Sequence, residues 1–212
     1  MPLAIYPWLP SAPIIFLKAQ YISLMFLNRS CQIKKYDTIF LDRDGTLNFD
    51  PGYINSLDDF KFYDFTFEAL KNLKFFSERF CIITNQSGVA RGIVDPSILS
   101  MIHDHILNRF FDQGLNLVGI YYCTDHPESS TINRKPGIGM FEKAADDHNI
   151  DLKKSLMIGD SHCDIEAANN CSMESVLVLT GNGEKTKNIL DINPTYISKD
   201  LNSISKNLMS SK

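Results

Sequence analysis

The segment Ile39-Phe40-Leu41-Asp42-Arg43-Asp44-Gly45-Thr46-Leu47-Asn48 constrains this chain more than any other stretch. An apolar run with β-branched and aromatic residues ends in two aspartates one residue apart, followed by a glycine. Such a run suits a strand buried on both faces, as in a parallel sheet, and the glycine suits a tight turn after it. In open α/β sheets, ligands bind at the carboxyl ends of the strands. Taken alone, D-x-D at that place reads equally well as an acidic surface turn or as carboxylates delivered to a site.

From Tyr36 onward, strand-like and helix-like patterns alternate. Strands are expected at Thr38–Leu41, Phe80–Ile83, Val118–Cys123, Leu156–Ile158 and Val176–Leu179. A helix is expected from about Thr66 to Phe76, with Phe67, Leu70, Leu73 and Phe76 roughly on one face. Asp95-Pro96 marks another helix start, with Asp as N-cap and Pro where a missing N–H costs nothing. That helix would bury Leu99, Ile102, Ile106 and Phe110 as one stripe. Further helices are expected from about Gly139 to His148 and Asp164 to Asn170. The alternation predicts an α/β fold, a three-layer α/β/α Rossmann-like parallel sheet. No repeat or low-complexity linker interrupts residues 36–212, which are expected to form a single domain.

With 212 residues, 44% hydrophobic and 22% charged, the chain can bury one sizeable core. A net charge of −4 argues against a nucleic-acid surface, which needs clustered Lys and Arg. Five widely spaced cysteines (Cys31, Cys81, Cys123, Cys163, Cys171), together with the lack of a secretory signal, suggest a reducing cytoplasm. Residues 1–35 are apolar and aromatic, but Lys18 interrupts them and no run approaches the roughly 20 residues that span a bilayer. No basic residue precedes Lys18, so a signal peptide is not indicated. Two readings stay open for this stretch: an upstream read-through with Met25 as the true start, which is favoured, or an extension packing on the domain. The expectation is a cytoplasmic monomer with neither membrane nor nucleic-acid partners.

Three further segments follow expected strands or precede a helix: Thr84-Asn85-Gln86-Ser87-Gly88, Asn133-Arg134-Lys135-Pro136 and Gly159-Asp160-Ser161-His162-Cys163-Asp164. Singly they read as a polar loop, a solvated basic loop and a turn into an N-capped helix. In this order behind D-x-D-G-T-L, they resemble the four motifs of the haloacid dehalogenase superfamily of phosphohydrolases, over about Tyr36 to Gly183. The resemblance implies that Asp42 attacks phosphorus to form an aspartyl-phosphate. Asp44 would protonate the leaving oxygen and then deprotonate the water that clears the intermediate. Mg²⁺ would be held by the Asp42 carboxylate, the Asp44 backbone carbonyl and the Asp160 carboxylate. Asp164 would support the loop behind the ion or cap a helix. Lys135 would neutralise the phosphoryl oxygens, and the Thr84 hydroxyl and Asn85 N–H would hydrogen-bond them. Only 42 residues separate Asp42 from Thr84 and 51 separate Thr84 from Lys135. Both intervals are short for an inserted cap domain, so a capless, open site with only loop insertions is expected.

The loops narrow the resemblance. Asn48-Phe49-Asp50-Pro51-Gly52-Tyr53-Ile54, the V-A-R-G continuation at 89–92, Gly119–Cys123 and Arg134-Lys135-Pro136 resemble the heptose 1,7-bisphosphate 7-phosphatase family of ADP-heptose and lipopolysaccharide-core supply. The histidinol-phosphate phosphatases, or another small sugar-phosphate phosphatase, are the alternative. The resemblance implies that a phosphorylated sugar is contacted by Asp50, Gly52, Tyr53, Asn85, Gln86, Ser87 and Arg134. A guanidinium fork suits the far phosphate. Two departures stand out. Relatives carry a structural Zn²⁺ on C-x-H and C-x-C, whereas Asp125 replaces the histidine and Thr131 and Asn133 the second cysteine pair. Cys123 and His126 fall short of four ligands, so no structural Zn²⁺ is expected and the loop should be held by packing. Ser161 stands where those relatives place a lysine. A catalytically silent binding protein on this fold is the reading from another class; retention of Asp42, Asp44, Lys135 and Asp160 argues against it.

Overall fold

The computed structural model describes residues 35–210. The expectations for the first 35 residues, Met25 included, therefore lie outside it except at Lys35. Six parallel strands form one sheet: β1 (Ile39–Leu41), β2 (Phe80–Asn85), β3 (Leu117–Cys123), β4 (Leu156–Gly159), β5 (Glu174–Val178) and β6 (Tyr196–Ser198). Their order is β3-β2-β1-β4-β5-β6, so β1 lies centrally and the order reverses between β1 and β4. The helices are α1 (Thr66–Leu73), α2 (Pro96–Asp112), α3 (Gly139–His148), α4 (His162–Asn170), α5 (Gly183–Ile189) and α6 (Leu201–Ser210).

Strand periodicity assigns the two faces. Ile39, Leu41, Phe80, Ile82, Leu156, Ile158, Val176 and Val178 share a core with Leu70 and Leu73 of α1, Ile102, Ile106 and Phe110 of α2, and Leu201 and Ile204 of α6. The intervening residues Phe40, Cys81, Ile83 and Met157 face the other way, onto Met140, Phe141 and Ala144 of α3 and Ala167 and Ala168 of α4. Phe40 meets Phe141 edge-on at 5.2 Å between centroids. Alternation with period two, buried on both sides, is what three layers require. No cap is inserted: only α1 lies between β1 and β2, and α2, β3 and a three-residue 3-10 turn (Pro127–Ser129) between Thr84 and Lys135. Among the described residues, no helix is long and apolar enough to cross a membrane.

Several boundaries differ from the sequence expectation. Helix α1 stops at Leu73, because Phe75 and Phe76 turn back with N–H bonds to Asn72 and Leu73 carbonyls three residues earlier. This tighter turn buries Phe76 and leaves Phe75 exposed. Helix α4 begins at His162 rather than Asp164: Ser161 is its N-cap and Asp164 the reciprocal partner in a capping box. Asp95 does cap α2, accepting from Ser97 N at 2.7 Å. The elements α5, β6 and α6 have no counterpart in the expected set. β6 is three residues long, with no apolar run, and α6 packs against α1, burying Leu201 and Ile204.

Candidate active site

Where the strand order reverses, the carboxyl ends of β1, β2 and β4 surround a cavity of about 340 Å³. Of the residues singled out from sequence, it gathers Asp42, Asp44, Asp50, Gly52, Tyr53, Thr84, Asn85, Gln86, Ser87, Lys135 and Asp160. It does not gather Arg134, whose Nη1 instead lies 3.4 Å from the Asp125 carbonyl.

Asp42 leaves β1 with its N–H bonded to the Ile158 carbonyl at 2.9 Å, so the main chain is fixed against β4. The chain then turns sharply, with Gly45 N–H donating to the Asn48 carbonyl at 2.8 Å. Gly45 has φ +82°, and a Cβ there would lie 2.3 Å from Asp160 Oδ2. Both conformation and space demand glycine. The turn thus lets the first motif lie against the fourth.

Lys135 is almost fully buried and spends its three donors within the site. Its Nζ lies 2.6 Å from Asp42 Oδ1, from Asp164 Oδ1 and from the Ile83 carbonyl. Burial works against its charge, but Asp164 and Asp42 outweigh burial and hold its pKa above the ordinary lysine value. The main chain of Lys135 is clasped by Asn85, which donates Nδ2 to its carbonyl and accepts from its N–H, both at 3.0 Å. The Asn85 side chain therefore aims Lys135, a task sequence did not suggest.

Three carboxylates crowd this one ammonium. Asp42, Asp160 and Asp164 each present an oxygen within 4.8 Å of the others. Burial, opposed by Lys135 and aided by Asp164 and Asp44, pushes the Asp42 carboxyl up to about 7. Burial, with Asp42 and Asp164 adding to it, pushes Asp160 up to about 8. Asp164 has both oxygens engaged, Oδ1 by Lys135 and Oδ2 by Ser161 Oγ at 2.6 Å and Ser161 N at 3.0 Å. Asp42 Oδ2 and Asp160 Oδ1, by contrast, accept no hydrogen bond from the described residues. Carboxylate oxygens that line the cavity, with raised pKa values and no donor among the described residues, fit a hard divalent cation between Asp42 and Asp160.

Asp44 is held apart from this cluster. Arg43 Nε and Nη2 grip its two oxygens at 3.0 and 2.7 Å, Asn48 Nδ2 adds a bond at 2.9 Å, and Gln86 Nε2 one at 2.8 Å. Burial opposes the charge, yet Arg43, Asn48 and Gln86 together keep the carboxyl below its ordinary value. Gln86 Nε2 also donates to Thr84 Oγ1 at 2.9 Å, so it ties Asp44 to the second motif. At the mouth, Asp50 accepts from Gly52 N–H at 2.8 Å and Tyr53 is about half exposed.

Other parts of the site were not anticipated. Arg43 is 1% exposed, and, besides Ser161 of the fourth motif, the cavity wall includes Cys163 and Asn182, whose N–H donates to Asp160 Oδ2 at 2.6 Å. A charged residue between two aspartates reads as solvent-facing, and nothing in the pattern signals its inward turn. The loop after β3 is held differently than expected: Asp125 accepts from Thr131 N at 2.7 Å and Thr131 Oγ1 at 2.6 Å, so hydrogen bonds rather than packing close it. Small polar side chains at both ends of the loop make that closure possible.

Comparison with known proteins follows the same lines. A family model described as HAD-hydrolase-like matches residues 132–204. The D-glycero-beta-D-manno-heptose-1,7-bisphosphate 7-phosphatase of Photorhabdus laumondii is 40% identical over 157 residues, covering 70% of this chain and 84% of that protein. The enzyme of the same name from Helicobacter pylori strain J99 is 38% identical over 149 residues, covering 70% and 86%. The crystal structure of D,D-heptose 1,7-bisphosphate phosphatase from B. bronchiseptica, complexed with magnesium and phosphate, superposes with a TM-score of 0.75 at 31% identity. It covers 83% of this chain and 99% of that one.

Proposed function

The chain belongs to the haloacid dehalogenase-like phosphatases, and we propose that it removes the 7-phosphate of D-glycero-D-manno-heptose 1,7-bisphosphate through a Mg²⁺-dependent aspartyl-phosphate mechanism. The observation that carries the chemistry is the placement of Asp42 at 2.6 Å from buried Lys135, with Asp160 across the β1/β4 reversal and Asp44 two residues on. The substrate rests on the similarity to enzymes of that name and on the loops that match them.

In this reading one oxygen of the Asp42 carboxylate attacks phosphorus and the other faces the cation, with Lys135 bonded beside them. Lys135, held by Asn85 and Asp164, sets a fixed positive charge where the equatorial phosphoryl oxygens gather charge. Thr84 Oγ1, itself oriented by Gln86, offers those oxygens a hydroxyl donor. Asp44, ionised under its four donors in this structure, first takes up a proton from solvent as substrate binds; it delivers that proton to the sugar oxygen as the P–O bond breaks, then takes one from water as Asp42 is released. A divalent ion held by Asp42 and Asp160 would screen the attacking anion from the phosphate dianion. Asp50, Gly52 and Tyr53 at the open mouth would meet the sugar body. Arg134 lies outside the cavity and serves as a rim contact for the far phosphate in this reading. The enzyme would work in the cytoplasm, in keeping with free thiols at Cys81, Cys123, Cys163 and Cys171.

The test is a comparison of kcat/KM with Mg²⁺ for heptose 1,7-bisphosphate, fructose 1,6-bisphosphate and histidinol phosphate. The heptose substrate should lead. A preference for histidinol phosphate would overturn the substrate and leave the chemistry standing. Ser161 bears on this result: its hydroxyl is committed to Asp164, and among the described residues the cations lining the cavity are Arg43 and Lys135.

A further inference from the structure

Helix α2 buries a stripe of Leu99, Ile102, Ile106 and Phe110, and one polar residue, His103, sits within it. A histidine on an apolar face is usually a core residue whose ring nitrogens are satisfied locally. Here its Nε2 lies 3.4 Å from Arg43 Nη1, and its ring packs on Tyr122 at 4.9 Å between centroids. A guanidinium has donors only, so Nε2 must be the acceptor and the imidazole must be neutral, with its proton on Nδ1. Burial and the Arg43 charge, opposed by Asp44, push the His103 pKa down to about 4, which agrees with that state.

Arg43 needs such a partner. Its Nε and Nη2 face Asp44, and its guanidinium carbon lies 5.9 Å from the Phe60 ring centroid, which leaves Nη1 to be satisfied in a dry environment. Among the described residues His103 is the hydrogen-bond partner of Nη1. The Arg43 fork meets both Asp44 oxygens, while Asn48 and Gln86 hold one each, so whatever fixes the far end of the fork helps to fix the Asp44 plane. A chain of two hydrogen-bonded links therefore runs from the body of α2 to the acid of the site.

We propose that His103 is a positioning residue: by accepting from Arg43 Nη1 it locks the guanidinium that aims Asp44 at the leaving oxygen. This rests on the reading of Asp44 as the acid given above. Alkyl phosphates, such as sugar phosphates, need that proton because an alkoxide leaves poorly. Aryl phosphates such as 4-nitrophenyl phosphate do not, because the phenolate leaves unaided. The ratio of kcat/KM for the two classes therefore reports Asp44 alignment, and kcat/KM excludes the later hydrolysis of the intermediate. Overall damage to the fold would lower both substrates alike.

The test measures that ratio with Mg²⁺ in wild type, His103→Leu, His103→Gln, Arg43→Lys and Asp44→Asn, using a sugar phosphate and 4-nitrophenyl phosphate. His103→Leu should lower the alkyl-to-aryl ratio roughly fivefold to tenfold, the scale of one ordinary hydrogen bond. His103→Gln, which can turn a carbonyl oxygen toward Nη1, should recover most of the loss. Arg43→Lys probes the same link from its other end, since one ammonium cannot bridge both Asp44 oxygens and His103; it should lower the ratio too. This variant carries the test if His103→Leu does not fold. Asp44→Asn separates the two readings. If it leaves the ratio unchanged, Asp44 is not the acid and the mechanism fails. If it lowers the ratio while His103→Leu, or in its place Arg43→Lys, does not, the mechanism stands and the positioning role of His103 is overturned.

Discussion

Replacing Asp160 with asparagine should abolish activity and yet stabilise the metal-free protein at alkaline pH. The folded-state pKa of Asp160 is raised from 3.8 to about 8, first by burial and then by Asp42 and Asp164. A carboxyl raised in this way favours the folded state in acid, and that contribution is lost as pH climbs from about 4 through about 8. Each pKa unit corresponds to about 1.4 kcal/mol, so Asp160 alone removes at most about 4 kcal/mol between pH 5 and pH 8. Asp42 titrates in the same window and repels Asp160, which brings the expected value to about 2–4 kcal/mol. The amide is nearly isosteric, can still accept from Asn182 N–H, and carries no charge to desolvate. Urea unfolding with a chelator present, at pH 5 and pH 8, measures the effect. The stability difference between Asp160→Asn and wild type should move by that amount in favour of the variant on going to pH 8. Added Mg²⁺ should then stabilise wild type, by about 2.7 kcal/mol at a hundredfold excess over its Kd, and leave the variant unmoved. A difference independent of pH, or equal stabilisation of both proteins by Mg²⁺, would refute the cation site between Asp42 and Asp160.

Other outcomes follow from the same geometry. Lys135→Met strands two buried carboxylates, so it should cost roughly 3–5 kcal/mol in urea melts near neutral pH and leave no measurable turnover. Gly45→Ala places a methyl group against Asp160 at a positive φ, so it should lower the melting temperature and weaken Mg²⁺ binding measured by calorimetry. Asn85→Ala frees the Lys135 main chain; kcat should fall about tenfold or more with a smaller change in KM, the scale of a disturbed oxyanion contact. Asp50→Ala should raise KM for a sugar phosphate and leave that for a small alkyl phosphate nearly unchanged.

The site was legible in sequence to the extent that its chemistry sits at strand ends. Asp42, Thr84 and Asp160 could be placed because apolar runs announce β1, β2 and β4, and the ends of such strands face one crevice. What lay hidden were the side chains that act through other side chains. Arg43 turns inward only because His103 on α2 and Asp44 beside it are both in reach, and a contact across 60 residues leaves no local pattern. Asn85 looked like a backbone donor and proved to hold Lys135, a contact across 50 residues. Arg134 was assigned to the substrate by resemblance and by the fit of a guanidinium to phosphate; that it would lie outside the cavity, with Nη1 3.4 Å from the Asp125 carbonyl, had no signal in the pattern. The far edge of the sheet was missed for a simpler reason. β6 is short and lies at an edge, so it carries neither the apolar run nor the alternation that betrays a strand.

The central claim is that Asp42 itself is phosphorylated. Multiple turnover in heavy-oxygen water, followed by proteolysis and mass spectrometry of the peptide spanning Asp42, tests it directly. Each hydrolysis of an aspartyl-phosphate by attack at phosphorus leaves the Asp42 oxygens in place, so wild-type peptide should stay unlabelled while released phosphate carries the heavy atom. That pattern alone also fits direct attack by water, so the decisive species is the intermediate. In Asp44→Asn, where its hydrolysis lacks a base, acid quenching during reaction with 4-nitrophenyl phosphate should yield peptide phosphorylated at Asp42. The phosphoryl group should be lost with hydroxylamine and absent from an Asp42→Asn counterpart. Inactive Asp42→Asn and phosphorylated Asp42 are the results expected; substantial turnover by Asp42→Asn of confirmed sequence would contradict the account.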